Sequence, residues 1–562
     1  MADLPETQQA VQLVGPDKLL FNDSKEVHRP GEHQILCRVE AVGLCFSDLK
    51  LLKQFSSHVR KSEIVSGIDL EILKEIPSYV PGEKPAVPGH EAVVRIAAVG
   101  PGVEDFKVGE RYLVQTDYRW IRTASKSNAA FGYNIEGALQ EYVLIDKRIA
   151  TSPGGESMMI PVSEEMSCSA VALVEPWACV EDAYASQERT SLKTSGQMLV
   201  VADREIEAGT FCSFLERYGR PAQITYVSKT AKLNSLNVKV IRAKNISELK
   251  DANYDDVIYF GSDADTAEAL LAKVGVDGLL NIVLCGGRFG RDILTTVGRV
   301  HYGGIRIIGT VGSDPAESMR YIPRTGEIRD GDKINVVGAA GPMGAMHVVR
   351  NICQGVENVS VYAGDMDDKR LEVLTKTAAG LAKKNGVDYI AYNPVRDKIE
   401  EPFDYVALMV PSPELVAEAV RRAGKGAIVN IFAGIPATVS GKIDVDSYIE
   451  KQLYFIGTSG SVLGDMKAVL SKMEAGRLDT NVSVAAVCGL EGASEGIRAV
   501  EKQLIPGKII VYPACKGLGL VKLNKLDEKM PEVAACLNNG LWTKQAEQKL
   551  LQKYQNLQIK KG

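Results

Sequence analysis

Residues Gly331–Gly344, GDKINVVGAAGPMG, read as an apolar strand, a glycine-rich turn and the start of a helix. Residues Gly196–Gly209, GQMLVVADREIEAG, have the same strand and the same final glycine. Further matches follow both stretches. YDDVIYFG from Tyr254 resembles FDYVALMV from Phe403, GLLNIVLCGG from Gly278 resembles GAIVNIFAG from Gly426, and IIGTVGS from Ile307 resembles FIGTSGS from Phe455. The matches keep their order, and the last three keep nearly constant spacing, so the chain reads as an internal duplication of βαβ units on a parallel sheet. The polar, glycine-bearing segment TGEIRDGDK, Thr325–Lys333, separates the copies. Upstream, from about Ile35 to Val143, short alternating runs such as ILCRVEAVG, AVVRIAAVG and ALQEYVLI are broken by Gly and Pro, the pattern of an irregular β domain.

In the second copy, Gly338, Gly341, Pro342, Met343 and Gly344 follow the strand KINVV and open a helix. Such a turn lets the backbone approach a pyrophosphate while the helix N–H groups point at it. The strict G-x-G-x-x-G pattern would put Ala339 at its first glycine, so the turn is a variant. Asp365 ends the next strand, 21 residues beyond Gly344. An acid at that distance binds a ribose diol and repels a 2′-phosphate, which favours NAD over NADP. The first copy has Arg204, Ile206 and Gly209 in place of Ala339, Gly341 and Gly344, and Ser228 and Lys229 in place of the acid. The expectation is that the first copy binds no dinucleotide and serves as a spacer or subunit contact.

The chain has 562 residues, too many for one ordinary domain, with 45% hydrophobic and 24% charged residues as in globular proteins. A net charge of -5 gives no reason to expect nucleic acid, and no stretch has the apolar run of a signal peptide or a membrane helix. A cytoplasmic protein is expected. The ten cysteines form no C-x-x-C pair and are too scattered for a disulfide scaffold.

Three short segments remain: Gly43-Leu-Cys45-Phe-Ser47-Asp48, Pro88-Gly89-His90-Glu91 and Leu173-Val-Glu175-Pro176. Each alone is a weak signal. Together, ahead of a glycine-rich βαβ unit, they resemble the zinc-containing medium-chain alcohol/polyol dehydrogenase family, in its sorbitol dehydrogenase branch. GERYLVQ, FGYNIEGALQEYV, ALVEPWACV, VVGAAGPMG, FAG, FIGTSGS and the tail GLWTKQAEQKLL extend the resemblance to nearly the whole chain, except about Gly196–Arg324.

The resemblance implies an NAD(P)-linked oxidoreductase that moves a hydride between a nicotinamide and the secondary alcohol or ketone of a polyol, ketose or sugar phosphate. It implies one catalytic zinc held by Cys45, His90 and a carboxylate, either Glu175 or Glu91. Ser47 would relay the substrate proton, Asp48 would orient the cysteine loop, and Gly434 and Thr458 would join the cofactor site. Thiolate, imidazole and carboxylate suit zinc, and three of them leave a position for substrate. Homo-oligomers, dimers or tetramers, are expected.

Three departures from the family pattern stand out. Lys50 replaces a histidine that ends the proton relay in many relatives. No cysteine lies between Cys45 and Cys168, so no structural zinc is expected. An extra polar segment, HVRKSEIVSGIDLEILKEI, lies between Cys45 and His90, as a lid or interface.

The fold expected is α/β: a GroES-like β-rich catalytic domain in residues 1–195 and 481–562, a Rossmann NAD-binding domain in 326–480, and a degenerate Rossmann-like domain inserted at 196–325. The second copy, not the first, is expected to face the β domain. The competing readings are a zinc-independent quinone- or enoyl-type reductase and a non-catalytic NAD-binding scaffold.

Overall fold

The structure is a computed structural model and describes residues 4–228, 238–400, 402–458 and 460–559. The chain divides into two compact units, Met1–Ala178 with Ser461–Gly562, and Cys179–Gly460.

In the first unit, β1 (Gln34–Gly43) ends two residues before α1 (Phe46–Gln54). β1 pairs antiparallel with β2 (Glu91–Val99), in a register that sets Ile35 opposite Val99 and Gly43 opposite Glu91. Ala92, Val93 and Val94 of β2 are fully buried, so both faces of this pair are covered near its Glu91 end. α2 (Val174–Ala185) begins with Glu175 in its first turn.

The second unit holds both copies. The first includes β3 (Gln197–Ala202), α3 (Ala208–Tyr218), β4 (Gln223–Ser228), β5 (Lys239–Arg242), β6 (Tyr254–Phe260), β7 (Val274–Val283), β8 (Ile293–Thr295), α4 (Gly298–Tyr302) and β9 (Arg306–Thr310). The second includes β10 (Lys333–Val337), α5 (Pro342–Cys353), β11 (Ser360–Gly364), β12 (Asp388–Tyr392), β13 (Phe403–Leu408), β14 (Ala423–Ile431), β15 (Gly441–Ile443), α6 (Val445–Glu450) and β16 (Tyr454–Ile456).

The first copy's sheet has the order β5-β4-β3-β6-β7-β9, and the second repeats it as β12-β11-β10-β13-β14-β16. Every pairing within the two sheets is parallel. This is the doubly wound arrangement, whose ligand crevice lies where the strand order reverses, between the first and fourth strands. One apolar cluster spans both copies, from Val257 and Leu280 in the first to Val406 and Val429 in the second.

The chain then returns to the first unit, where β17 (Val484–Cys488) pairs with β18 (Lys508–Val511), and β18 pairs antiparallel with β1. This pairing brings Lys508 to the Glu91 end of β2. The tail GLWTKQAEQKLL contributes a helix, Lys544–Ile559. Its Glu547 accepts hydrogen bonds from the Cys168 and Ser169 amides and from the Tyr512 hydroxyl. No helix among the described residues is long and apolar enough to cross a membrane.

Candidate metal centre and dinucleotide turn

Cys45 is the N-cap of α1, and Asp48 in that helix's first turn accepts a hydrogen bond from the Cys45 amide at 3.0 Å. The other Asp48 oxygen lies 3.2 Å from His90 Nδ1. One carboxylate thus fixes both the cysteine loop and the imidazole. With Nδ1–H donated to Asp48, Nε2 keeps its lone pair for a ligand, the usual outer-shell arrangement behind a metal-binding histidine. Ser47 Oγ lies 3.0 Å from Cys45 Sγ and 3.0 Å from His90 Nε2.

Glu91 completes the cluster. One ligand atom each from Cys45, His90 and Glu91 lies within 4.8 Å of the others. Glu91 is fully buried, and its Oε2 has no hydrogen-bond partner. An unpartnered carboxylate oxygen beside a thiol and an imidazole is costly in a protein interior and fits a bound cation. Its position depends on Gly43, because a Cβ there would come within 2.1 Å of Glu91 Oε2.

Glu91 Oε1 forms a buried ion pair with Lys508 Nζ. Burial would lower the Lys508 pKa, but the negative charges of Glu91, Cys45 and Glu175 hold it raised. Burial pushes the Glu175 carboxyl up to about 7, with the His90 ring lowering it and Glu91 raising it further. Glu175 therefore feels the charges of His90 and Glu91, but it is not among the three residues whose ligand atoms converge. Tyr133 is buried and packs its ring 5.7 Å from that of His90. His58, from the extra polar segment, is also buried, with its ring tilted against that of Tyr133 at 5.2 Å. Lys50 is exposed.

The dinucleotide turn lies in the other unit. Gly338 follows β10 with φ +78°, in the left-handed region, and a Cβ there would meet Val410, just beyond β13. The turn therefore occupies the reversal point of the strand order. A Cβ on Gly344 would come within 2.2 Å of Gly338 O, so α5 packs against the turn only because Gly344 has none. Gly341 differs. A Cβ there would meet only Gly338 O, at 3.6 Å, so nothing in the chain itself demands glycine. A ligand lying against the backbone would.

Gly341 is the N-cap of α5, with Pro342 in its first turn followed by Met343, and no side chain caps the helix. The Asp365 carboxylate accepts from the Ala340 amide at 3.0 Å, so the acid and the glycine turn form one surface. Thr458 follows β16 with a buried Oγ1 that has no partner, and Gly434 lies beyond β14, where a Cβ would strike Tyr302.

In the first copy, the Glu207 side chain caps α3 by accepting from the Thr210 amide, and Asp203 after β3 accepts from the Tyr259 hydroxyl. Carboxylates thus stand at the end where a phosphate would bind. Lys229, named above beside Ser228, lies outside the described residues.

Residues 31–153 match the alcohol dehydrogenase GroES-like domain. The matched domain is of the kind that the motifs led one to expect. A mannitol-1-phosphate 5-dehydrogenase of Aliivibrio fischeri is 28% identical over 253 residues, which cover 40% of this chain and 58% of that protein. An L-sorbose 1-phosphate reductase of Klebsiella pneumoniae is 29% identical over 153 residues, 26% of this chain and 36% of the relative. The chain thus spans little more than half the length of the curated relatives it matches. Among solved structures, a 2R,3R-butanediol dehydrogenase from Bacillus subtilis aligns over 90% of this chain and 100% of its own, with TM-score 0.52 and 15% identity, a likeness of fold. The GroES-like domain and the Rossmann-type parallel sheets are the fold class expected from the sequence.

Sequence reasoning missed Lys508 altogether. It lies 417 positions from Glu91, with no local pattern to mark it. It also missed Tyr133, although the quoted FGYNIEG contains it, and it gave Asp48 only the cysteine loop.

Proposed function

We propose that the chain is a zinc-dependent dehydrogenase that moves a hydride between NAD(H) and the secondary alcohol or ketone of a polyol, ketose or sugar phosphate. The observation that carries this reading is the convergence of Cys45, His90 and Glu91 within 4.8 Å, with Glu91 Oε2 unpartnered. These three residues would hold the metal, and Glu175 is the second carboxylate that would exchange with Glu91. When bound, zinc supplies Lewis acidity; a drop in the pKa of a bound hydroxyl from ~15.7 to ~7 amounts to about 12 kcal/mol.

The chain's own residues do the rest. Asp48 holds the His90 ring with Nε2 available. Lys508 pairs with Glu91 Oε1 and offsets the negative charge of the cluster. Ser47 Oγ, 3.0 Å from Cys45 Sγ, is placed to relay the substrate hydroxyl proton. A positioned relay of this kind contributes ~10²–10⁴-fold, roughly 3–5 kcal/mol, so the metal ligands dominate. In the other unit, Gly341 leaves room for a pyrophosphate, the N-terminus of α5 favours its charge, and Asp365 binds the ribose diol. That acid favours NAD over NADP. The names of the sugar-phosphate relatives support the substrate class.

The test is an NAD(H)-linked absorbance screen over polyols, ketoses and their phosphates, with zinc quantified in the same sample. Cys45→Ser and His90→Ala are expected to abolish turnover while NADH still binds. Full activity in zinc-free protein overturns the reading.

A further inference from the structure

The first copy retains a complete parallel sheet, yet carboxylates occupy the place of its phosphate site, so cofactor binding does not account for it. Its contacts with the second copy do. Beyond β7 and β14 the two copies correspond at a constant offset of 148 positions, so that Ile307 matches Phe455 and Gly309 matches Gly457. With that correspondence the contact between them is two-fold symmetric. β8 and β15 pair antiparallel as Ile293 with Ile443, Leu294 with Lys442 and Thr295 with Gly441. Leu294 thus faces its own counterpart, and the flanking pairs exchange.

The same reciprocity recurs away from these strands. A Cβ on Gly309 would strike Ile449 at 2.7 Å, and a Cβ on its counterpart Gly457 would reach His301, the counterpart of Ile449, at 3.0 Å. The Tyr448 hydroxyl donates to Ile307 O at 2.7 Å and accepts from Phe455 N at 3.0 Å, joining two matched residues. Arg306 and Tyr454, also matched, both bind Glu188. The face is apolar: Val297, Val300 and Ile307 are buried in one cluster with Ile443, Val445 and Phe455.

Reciprocal contact, residue for residue, is the mark of an isologous interface between two copies of one surface, and an apolar one is typical of permanent pairs. The insert also leaves and re-enters the chain at one point, since the Glu188 amide donates to Arg324 O at 2.9 Å.

We propose that the inserted copy is a resident substitute for a second subunit. It covers, within one polypeptide, the face through which two copies of the second Rossmann-type domain would pair. Tethering makes the contact intramolecular, so it holds at any dilution. The full chain does not self-associate through β15 and β16, and a chain lacking the insert does.

Two arms test this. In the full chain, the double variant Leu294→Cys, Lys442→Cys is oxidised at low concentration, with the unsubstituted protein as control. A disulfide inside one chain, seen as a faster single-chain band on a non-reducing gel, is expected. A band of two linked chains overturns the proposal. In the second arm, residues 189–323 are replaced by a short glycine–serine link between Glu188 and Arg324, and particle mass is measured by light scattering. The number of chains per particle is expected to double relative to the full chain. An unchanged number overturns the proposal, and the first arm does not depend on the shortened chain folding.

Discussion

Gly43 stands opposite Glu91 in the β1–β2 pair, and its missing Cβ is what lets the Glu91 carboxylate lie beside Cys45 and His90. Gly43→Ala would put a carbon within 2.1 Å of Glu91 Oε2 and force that side chain to move. Zinc affinity is expected to fall about 10–100-fold, the usual loss when a ligand's support is disturbed, read by competition with a chelator. Lys508 gives a complementary experiment. Removing one partner of a buried ion pair leaves the other charge uncompensated, at about 3–5 kcal/mol. Lys508→Met is expected to lower stability by about that much in chelator-treated protein, and by less when zinc is restored, because the cation then compensates Glu91. Urea unfolding with and without zinc reads both values, and equal losses would count against Glu91 as a ligand.

At the scale of elements, α5 carries both the dinucleotide turn and a buried histidine. Burial pushes the His347 imidazole down to about 3, and Arg350 adds to the push. The Tyr184 hydroxyl lies 2.8 Å from its Nδ1. The unfolded chain takes up a proton near pH 6.5 that the folded chain refuses until about 3. Between those values the unfolded state binds more protons, so stability falls as pH drops, by at most about 1.4 kcal/mol per unit. Above about 6.5 this group contributes no slope. Urea midpoints at pH 7, 5 and 4 are expected to show the trend in the natural protein and a shallower one in His347→Gln.

For the whole molecule, the two copies share a strand order but differ in the residues that follow their first strands. Glu207 and Asp203 place negative charge at the end of the first copy where Gly338 to Gly344 offer bare backbone in the second. NADH titration by calorimetry is expected to give one site per chain, and two sites would refute the expectation that the first copy binds no dinucleotide.

The sequence by itself determined what depends on near neighbours. Gly338, Gly341 and Gly344 specify their turn because φ and close approach are local properties. Likewise Cys45 with Asp48, and His90 with Glu91, are set by a helix cap and a strand start. The repeated order of the segments carried the duplicated sheets, since each strand keeps its own pattern. Only the tertiary structure decided what depends on distant residues meeting. Lys508 reaches Glu91 because β18 pairs with β1, and no spacing announces a partner 417 positions away. The reciprocal contact of β8 with β15 is equally silent, because apolar residues at a sheet edge look the same whether they face a neighbouring chain or their own copy.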